Sequence, residues 1–127
     1  MTLNNLLDLS NKKIWVAGHN GMVGSAILRK LKKEGCDILT VEKKNLNLLN
    51  QIETESWIKK YEPKIIILAA AKVGGIKFNM LNKASFLYEN LMIQNNVIHS
   101  ASKLNVEKLV FIGSSCIYPK ETAQPIK

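Results

Sequence analysis

Cysteine is scarce in this 127-residue chain: Cys36 and Cys116 are the only two, 80 residues apart. That separation excludes a close metal-binding pair and leaves two reduced thiols, so no metal site is expected. Long apolar runs are also missing, and none approaches the length that spans a bilayer. With no secretory leader recognisable, the expected location is the cytoplasm, without a membrane partner. Acidic residues are few, 10 against 18 lysines and arginines, for a formal charge of +8. Such an excess admits a polyanionic partner. The lysines are scattered, however, and aromatic residues make up only 6% and do not interleave with them, so no nucleic-acid surface is expected. What remains is 46% apolar and 22% charged, the balance of a globular domain too short for a two-domain enzyme.

The few glycines are concentrated where they matter. The apolar run Ile14-Trp15-Val16-Ala17 leads directly into Gly18-His19-Asn20-Gly21-Met22-Val23-Gly24. From Met22 the apolar period changes to that of a helix, with Val23, Ala26, Ile27 and Leu31 on one face. A strand that turns through glycines into a helix brings bare main-chain N–H groups to a pyrophosphate. Gly18 permits the tight bend, Gly21 the approach of phosphate and Gly24 the close packing of helix on sheet.

Further strands are expected at 38–41, 65–71 and 108–112, with helices at 51–61 and about 83–102. Ile52, Trp57, Ile58 and Tyr61 are the expected buried set of the second helix, which Pro63 ends. The run of 65–71 is the most apolar of the chain and reads as a strand in the middle of the sheet. On the long helix, Phe86, Ile93, Val97 and Ala101 share one side, and Leu87, Leu91 and Ile98 form an adjoining surplus that a helical dimer interface would use. Alternating strands and helices define an α/β class, a doubly wound parallel sheet of Rossmann type, with an expected strand order of 3-2-1-4. The partial nucleotide-binding domain occupies 12–127, after a lead of 1–11.

Besides the glycine turn, three groups of residues at the C-terminal ends of the strands can carry chemistry. Glu42, 18 residues after Gly24, stands where an acid grips ribose hydroxyls, whereas Lys43 and Lys44 would pair with a 2′-phosphate. Ala69-Ala70-Ala71 gives a cofactor room to cross the sheet edge, and Lys72 follows with an ammonium for cofactor or substrate, or for solvent. After the last strand, Ile112-Gly113-Ser114-Ser115-Cys116 brings a hydroxyl able to hold a carbonyl oxygen and a thiol able to exchange protons, the alternative for Cys116 being a small packed residue. Cys36, after Gly35 at a helix end, reads as structural.

The segments GHNGMVGSAI, AAAKVGGI, YENLMIQNNVIHSA and GSSCIYPK together resemble the GDP-L-fucose synthase group of the extended short-chain dehydrogenases/reductases. The resemblance covers nearly the whole chain from Lys13 and implies a cytosolic, commonly homodimeric enzyme. Such enzymes epimerise GDP-4-keto-6-deoxy-D-mannose at C3 and C5 and reduce its C4 ketone with NADPH. It further implies that Ser114 helps hold the keto oxygen and that Cys116 is an acid/base residue. Cofactor contacts are implied for the glycine turn from Gly18 to Gly24, for Lys43, for Asn47 and Leu48 beside the adenine, and for Ala70, Lys72 and 112–115. Two departures stand out. Asn20 occupies a position where the group often has arginine, and no YxxxK pair occurs, since residue 122, four after Tyr118, is threonine. The resemblance places that pair and the substrate domain beyond Lys127, which makes an inactive N-terminal fragment the expectation. An NAD-using sister epimerase and a non-catalytic nucleotide-binding module are the alternatives.

Overall fold

Ile14, Trp15, Val16 and Ala17 are all buried, as are Ile65, Ile66 and Leu68, and these two runs form the centre of a parallel sheet. A computed structural model describes residues 8–114, 117–119 and 121–126. In chain order the elements are β1 (Lys13–Ala17), α1 (Met22–Leu31), β2 (Asp37–Leu39), α2 (Gln51–Tyr61), β3 (Ile65–Leu68), α3 (Ile76–Leu81), α4 (Lys83–Lys103) and β4 (Lys108–Phe111). All strand pairings are parallel, in the order β2-β1-β3-β4.

That order corrects the expected 3-2-1-4. A strand apolar on both faces needs a neighbour on each side and a covering layer above and below. β3 meets that need between β1 and β4, whereas β2 has three residues, none buried, and forms the edge. The apolar content placed β3 in the middle correctly, and the crossover rule placed it wrongly. The glycine turn nevertheless lies at the reversal of strand order, because successive connections from β1 and β2 lead to opposite sides of β1.

Alternation along the strands divides the core in two. On one face Ile14, Val16 and Ile65 pack with Leu31 and Ile27 of α1, and with Leu9 and Cys36. On the other, Trp15, Ala17, Ile66 and Leu68 pack with Ile58 of α2, Val97 and Ala101 of α4, and Leu46. Trp15, Trp57 and Tyr61 form a ladder of tilted rings with centroids 4.4 and 4.6 Å apart.

The expected helix faces need two corrections. Ile52 is 77% exposed, because it lies six residues from Ile58, about 120° round the helix, and Tyr61 at the helix end is exposed too, with one ring face on Trp57. Val23 and Ala26 are also exposed, leaving Gly24, Ile27 and Leu31 to face the sheet. The long helix follows its expected pattern: Phe86, Val97 and Ala101 are buried, while Leu87, Leu91 and Ile98 face outward. The short helix α3 has no counterpart among the expected elements.

Candidate functional site

At the end of β1 the chain turns at Gly18 with φ +88°, a left-handed conformation that favours glycine. A Cβ there would lie 2.5 Å from the Ala70 nitrogen and 2.7 Å from the Ala69 carbonyl carbon, so the turn rests directly on the backbone that leaves β3. Gly24 closes the turn from the other side. A Cβ on it would stand 2.1 Å from the Gly18 oxygen. The turn itself is held by Gly21 N–H donating to Gly18 O at 3.0 Å, and α1 begins with Ser25 N–H donating to Gly21 O at 2.9 Å.

Gly21 is the N-cap of α1 and offers no side-chain acceptor, and the first turn holds no acidic residue. The opening N–H groups of α1 are left bare at the positive end of the helix. The contrast with α2 is instructive: Asn50 there accepts from the N–H groups of Ile52 and Glu53, with Glu53 itself in the first turn. One helix start is capped by its own sequence, and the other is left open to an anion.

Beside the open end stands Glu42. Its Oε2 accepts from the Asn20 side-chain amide at 3.0 Å, and its Oε1 lies 3.4 Å from His19 Nε2. The Asn20 hydrogen bond, with smaller help from His19 and Lys44, holds the Glu42 carboxyl below its ordinary range despite partial desolvation. His19 and Glu42, with Leu39, Thr40, Trp57 and Tyr61 among their neighbours, line a recess of about 300 Å³. Lys43 and Asn47 are exposed on the same connection.

Two asparagines of α4, absent from the sequence-based set, fix the neighbouring backbone. Asn90 makes a double contact with Lys72, accepting from its N–H at 2.7 Å and donating to its carbonyl at 3.0 Å. Asn96, buried, donates to the Leu48 carbonyl at 2.8 Å and so anchors the stretch of Asn47 and Leu48. Asparagine is a poor helix former. Three of them at 90, 95 and 96 within one helix were the available signal. The Lys72 ammonium is not free, as expected from sequence, but engages Glu89 and Ser85 and lies 5.3 Å from the Phe86 ring centre. Glu89 is correspondingly held below the ordinary carboxylate range, by Lys72 first and Ser85 second.

The same sheet edge receives the end of β4. Ile112 N–H donates to Leu68 O at 3.1 Å, just as Ala69 N–H donates to Ala17 O at 2.9 Å, so the turns after β1, β3 and β4 emerge side by side. Gly113 and Ser114 are exposed there, about 10 Å from β1 at two strand spacings. Ser115 and Cys116 lie outside the described residues. Cys36 is far from this edge, packed under α1 with its thiol donating to Leu31 O at 3.4 Å. Among the described residues no group of three histidine, cysteine or acidic side chains could hold a metal, and no helix is long and apolar enough to cross a membrane.

The family model for the NAD dependent epimerase/dehydratase family matches residues 14–127. The chain belongs to that family. Within it, the chain is similar to a GDP-L-fucose synthase of Sinorhizobium fredii, 51% identical over 119 residues, which cover 94% of this chain and 38% of that protein. It is 53% identical over 115 residues to GDP-L-fucose synthase 1 of Arabidopsis thaliana, covering 90% of this chain and 36% of that protein. Among solved structures, the GDP-mannoheptose C4 reductase MlghC of Campylobacter jejuni, with NADP bound, superposes at a TM-score of 0.87 with 41% identity, over 92% of this chain and 37% of that one. The chain thus spans a little over a third of the length of these family members, the third that carries the glycine turn.

Proposed function

We propose that the polypeptide containing this chain is a cytoplasmic, NADPH-dependent epimerase/reductase that converts GDP-4-keto-6-deoxy-D-mannose to GDP-L-fucose, and that residues 12–127 are part of its cofactor-binding domain. The observation that carries this reading is the uncapped start of α1, where Gly21 supplies no side-chain acceptor and the close Gly18–Gly24 contact leaves no space for a side chain at position 24. A diphosphate fits this cradle because it supplies the acceptors that the first turn lacks. Gly18, His19, Asn20, Gly21, Met22, Val23 and Gly24 would surround it, Lys43 the 2′-phosphate, Asn47 and Leu48 the adenine, and Ala70, Lys72 and residues 112–115 the nicotinamide half.

Bound there, the nicotinamide supplies hydride for reduction of the C4 ketone. Ser114 hydrogen-bonds the keto oxygen, which also steadies the enolate formed when a proton leaves C3 or C5. Cys116 is the acid/base group for those exchanges. The outward residues Leu87, Leu91 and Ile98 of α4 support a homodimer built on that helix.

The test is incubation of the polypeptide, at the length of its relatives, with GDP-4-keto-6-deoxy-D-mannose and NADPH, with nucleotide sugars separated by chromatography. GDP-L-fucose with matching NADPH loss is expected. Epimerised substrate without NADPH consumption would replace the reductase reading with that of a sister epimerase, and unchanged substrate would overturn both.

A further inference from the structure

Between β2 and α2 the chain runs through residues 45–50 with no strand or helix to hold them. A loop of this kind takes its place from individual bonds. Asn45 and Leu46 donate their N–H groups to Glu42 O, Asn47 to Glu53 Oε2, Leu49 to Asn47 Oδ1 and Asn50 to Asn47 O. All these acceptors lie within six positions along the chain, so they shape the loop without fixing it to the sheet. The exception is the Asn96 side-chain amide of α4, which donates to the Leu48 carbonyl at 2.8 Å from 48 residues away.

Asn96 is a costly residue where it stands. It is a poor helix former inside a helix, 4% exposed and next to the core residue Val97. A buried amide costs free energy unless it is hydrogen-bonded, and the Leu48 carbonyl supplies that bond. Leu48 is thereby fixed twice, by its side chain on the core and by its carbonyl on α4. Its N–H, alone among the main-chain N–H groups of 45–50, has no acceptor among the described residues. The loop is held as one body with a single main-chain donor open.

Resting on the cofactor reading above, which puts Asn47 and Leu48 beside the adenine, we propose that Asn96 is a positioning residue for the adenosine half of the cofactor. It acts through Leu48: the tether sets where this backbone stands against the sheet, so the loop is ordered before the cofactor arrives.

The experiment uses the polypeptide at the length of its relatives, unaltered and as Asn96→Leu, Asn96→Ala and Val97→Ala. Adenosine 2′,5′-bisphosphate and NADPH are titrated by calorimetry per folded protein, and amide exchange is followed across 45–50. Asn96→Leu and Asn96→Ala should each weaken adenosine 2′,5′-bisphosphate by about five-fold or more, the effect of a displaced contact surface, and should speed exchange across 45–50. Val97→Ala loosens the same helix without touching the tether and should do neither. A loss below five-fold in a folded Asn96 variant, or an equal loss in Val97→Ala, overturns the inference and leaves the cofactor site standing. The unaltered protein gives a test that needs no variant: without ligand, the amides of Leu49 and Asn50 should exchange slowly, and exchange as fast as in an unfolded chain overturns the inference. Failure of the folded, unaltered protein to bind either nucleotide removes the cofactor reading, and this inference with it.

Discussion

Gly24→Ala isolates the contact on which the cradle depends. Within α1 the substitution should help, because alanine is the better helix former by about 1 kcal/mol. The added methyl carbon, however, would lie 2.1 Å from the Gly18 oxygen, 2.7 Å from the Gly18 carbonyl carbon and 3.0 Å from the His19 Cα. Real Cβ contacts do not fall below 3.0 Å, so the turn or the helix start must withdraw by at least 0.9 Å (3.0 − 2.1). The atoms in the way are backbone, pinned on their other side by Ala69 and Ala70. Overpacking of this kind costs about 1–3 kcal/mol, which outweighs the propensity gain and leaves the variant destabilised by up to ~2 kcal/mol. Because the displaced atoms are those that cradle the diphosphate, NADPH affinity should fall at least ~10-fold beyond any loss of folded protein. Gly35→Ala is the control. Gly35 has φ +65° with open space around its Cβ position, so its alanine variant is strained by about 1–2 kcal/mol without touching the turn. Denaturant unfolding and NADPH titration of both variants decide the matter. Equal affinity losses in the two, or undiminished affinity in Gly24→Ala, would refute the reasoning.

Asn90→Leu removes both contacts to the Lys72 backbone. It should cost about 1–3 kcal/mol for polar groups left unpaired and should abolish hydrogen-exchange protection at the Lys72 amide, while β1 amides stay protected. The Glu89 carboxylate gives an acid-side test. Its folded value lies below the unfolded one, so the stability it contributes is complete above the ordinary glutamate range and is lost as pH falls through the lowered value. Glu89→Gln should flatten that part of the stability profile measured by denaturant unfolding, and an unchanged acid limb would show that the Lys72 contact carries no such contribution.

The elements legible in the sequence were those with strong local punctuation. The bounds of α2 were read correctly between Asn50 and Pro63, and α4 was recognised from the spacing of Phe86, Val97 and Ala101. The glycine turn was legible because its chemistry is local. Strand order was not, since nothing within β3 says on which side of β1 it docks, and the choice follows from burial shared among distant segments. The helix α3 escaped notice because none of its six residues is buried and it opens after two glycines. The engagement of Lys72 by Glu89, and the anchoring of backbone by Asn90 and Asn96, depend on how α4 lies across the strand ends. Spacing along the chain does not encode that, although the asparagines were conspicuous in a helix.

The most direct measurement of the central claim is amide chemical-shift mapping of the isotopically labelled protein titrated with NADPH. The largest perturbations should fall on Gly21, Met22 and Val23 at the uncapped start of α1, with the capped start of α2 at Ile52 and Glu53 undisturbed. Saturable binding that leaves the amides of 21–23 unmoved would contradict the account.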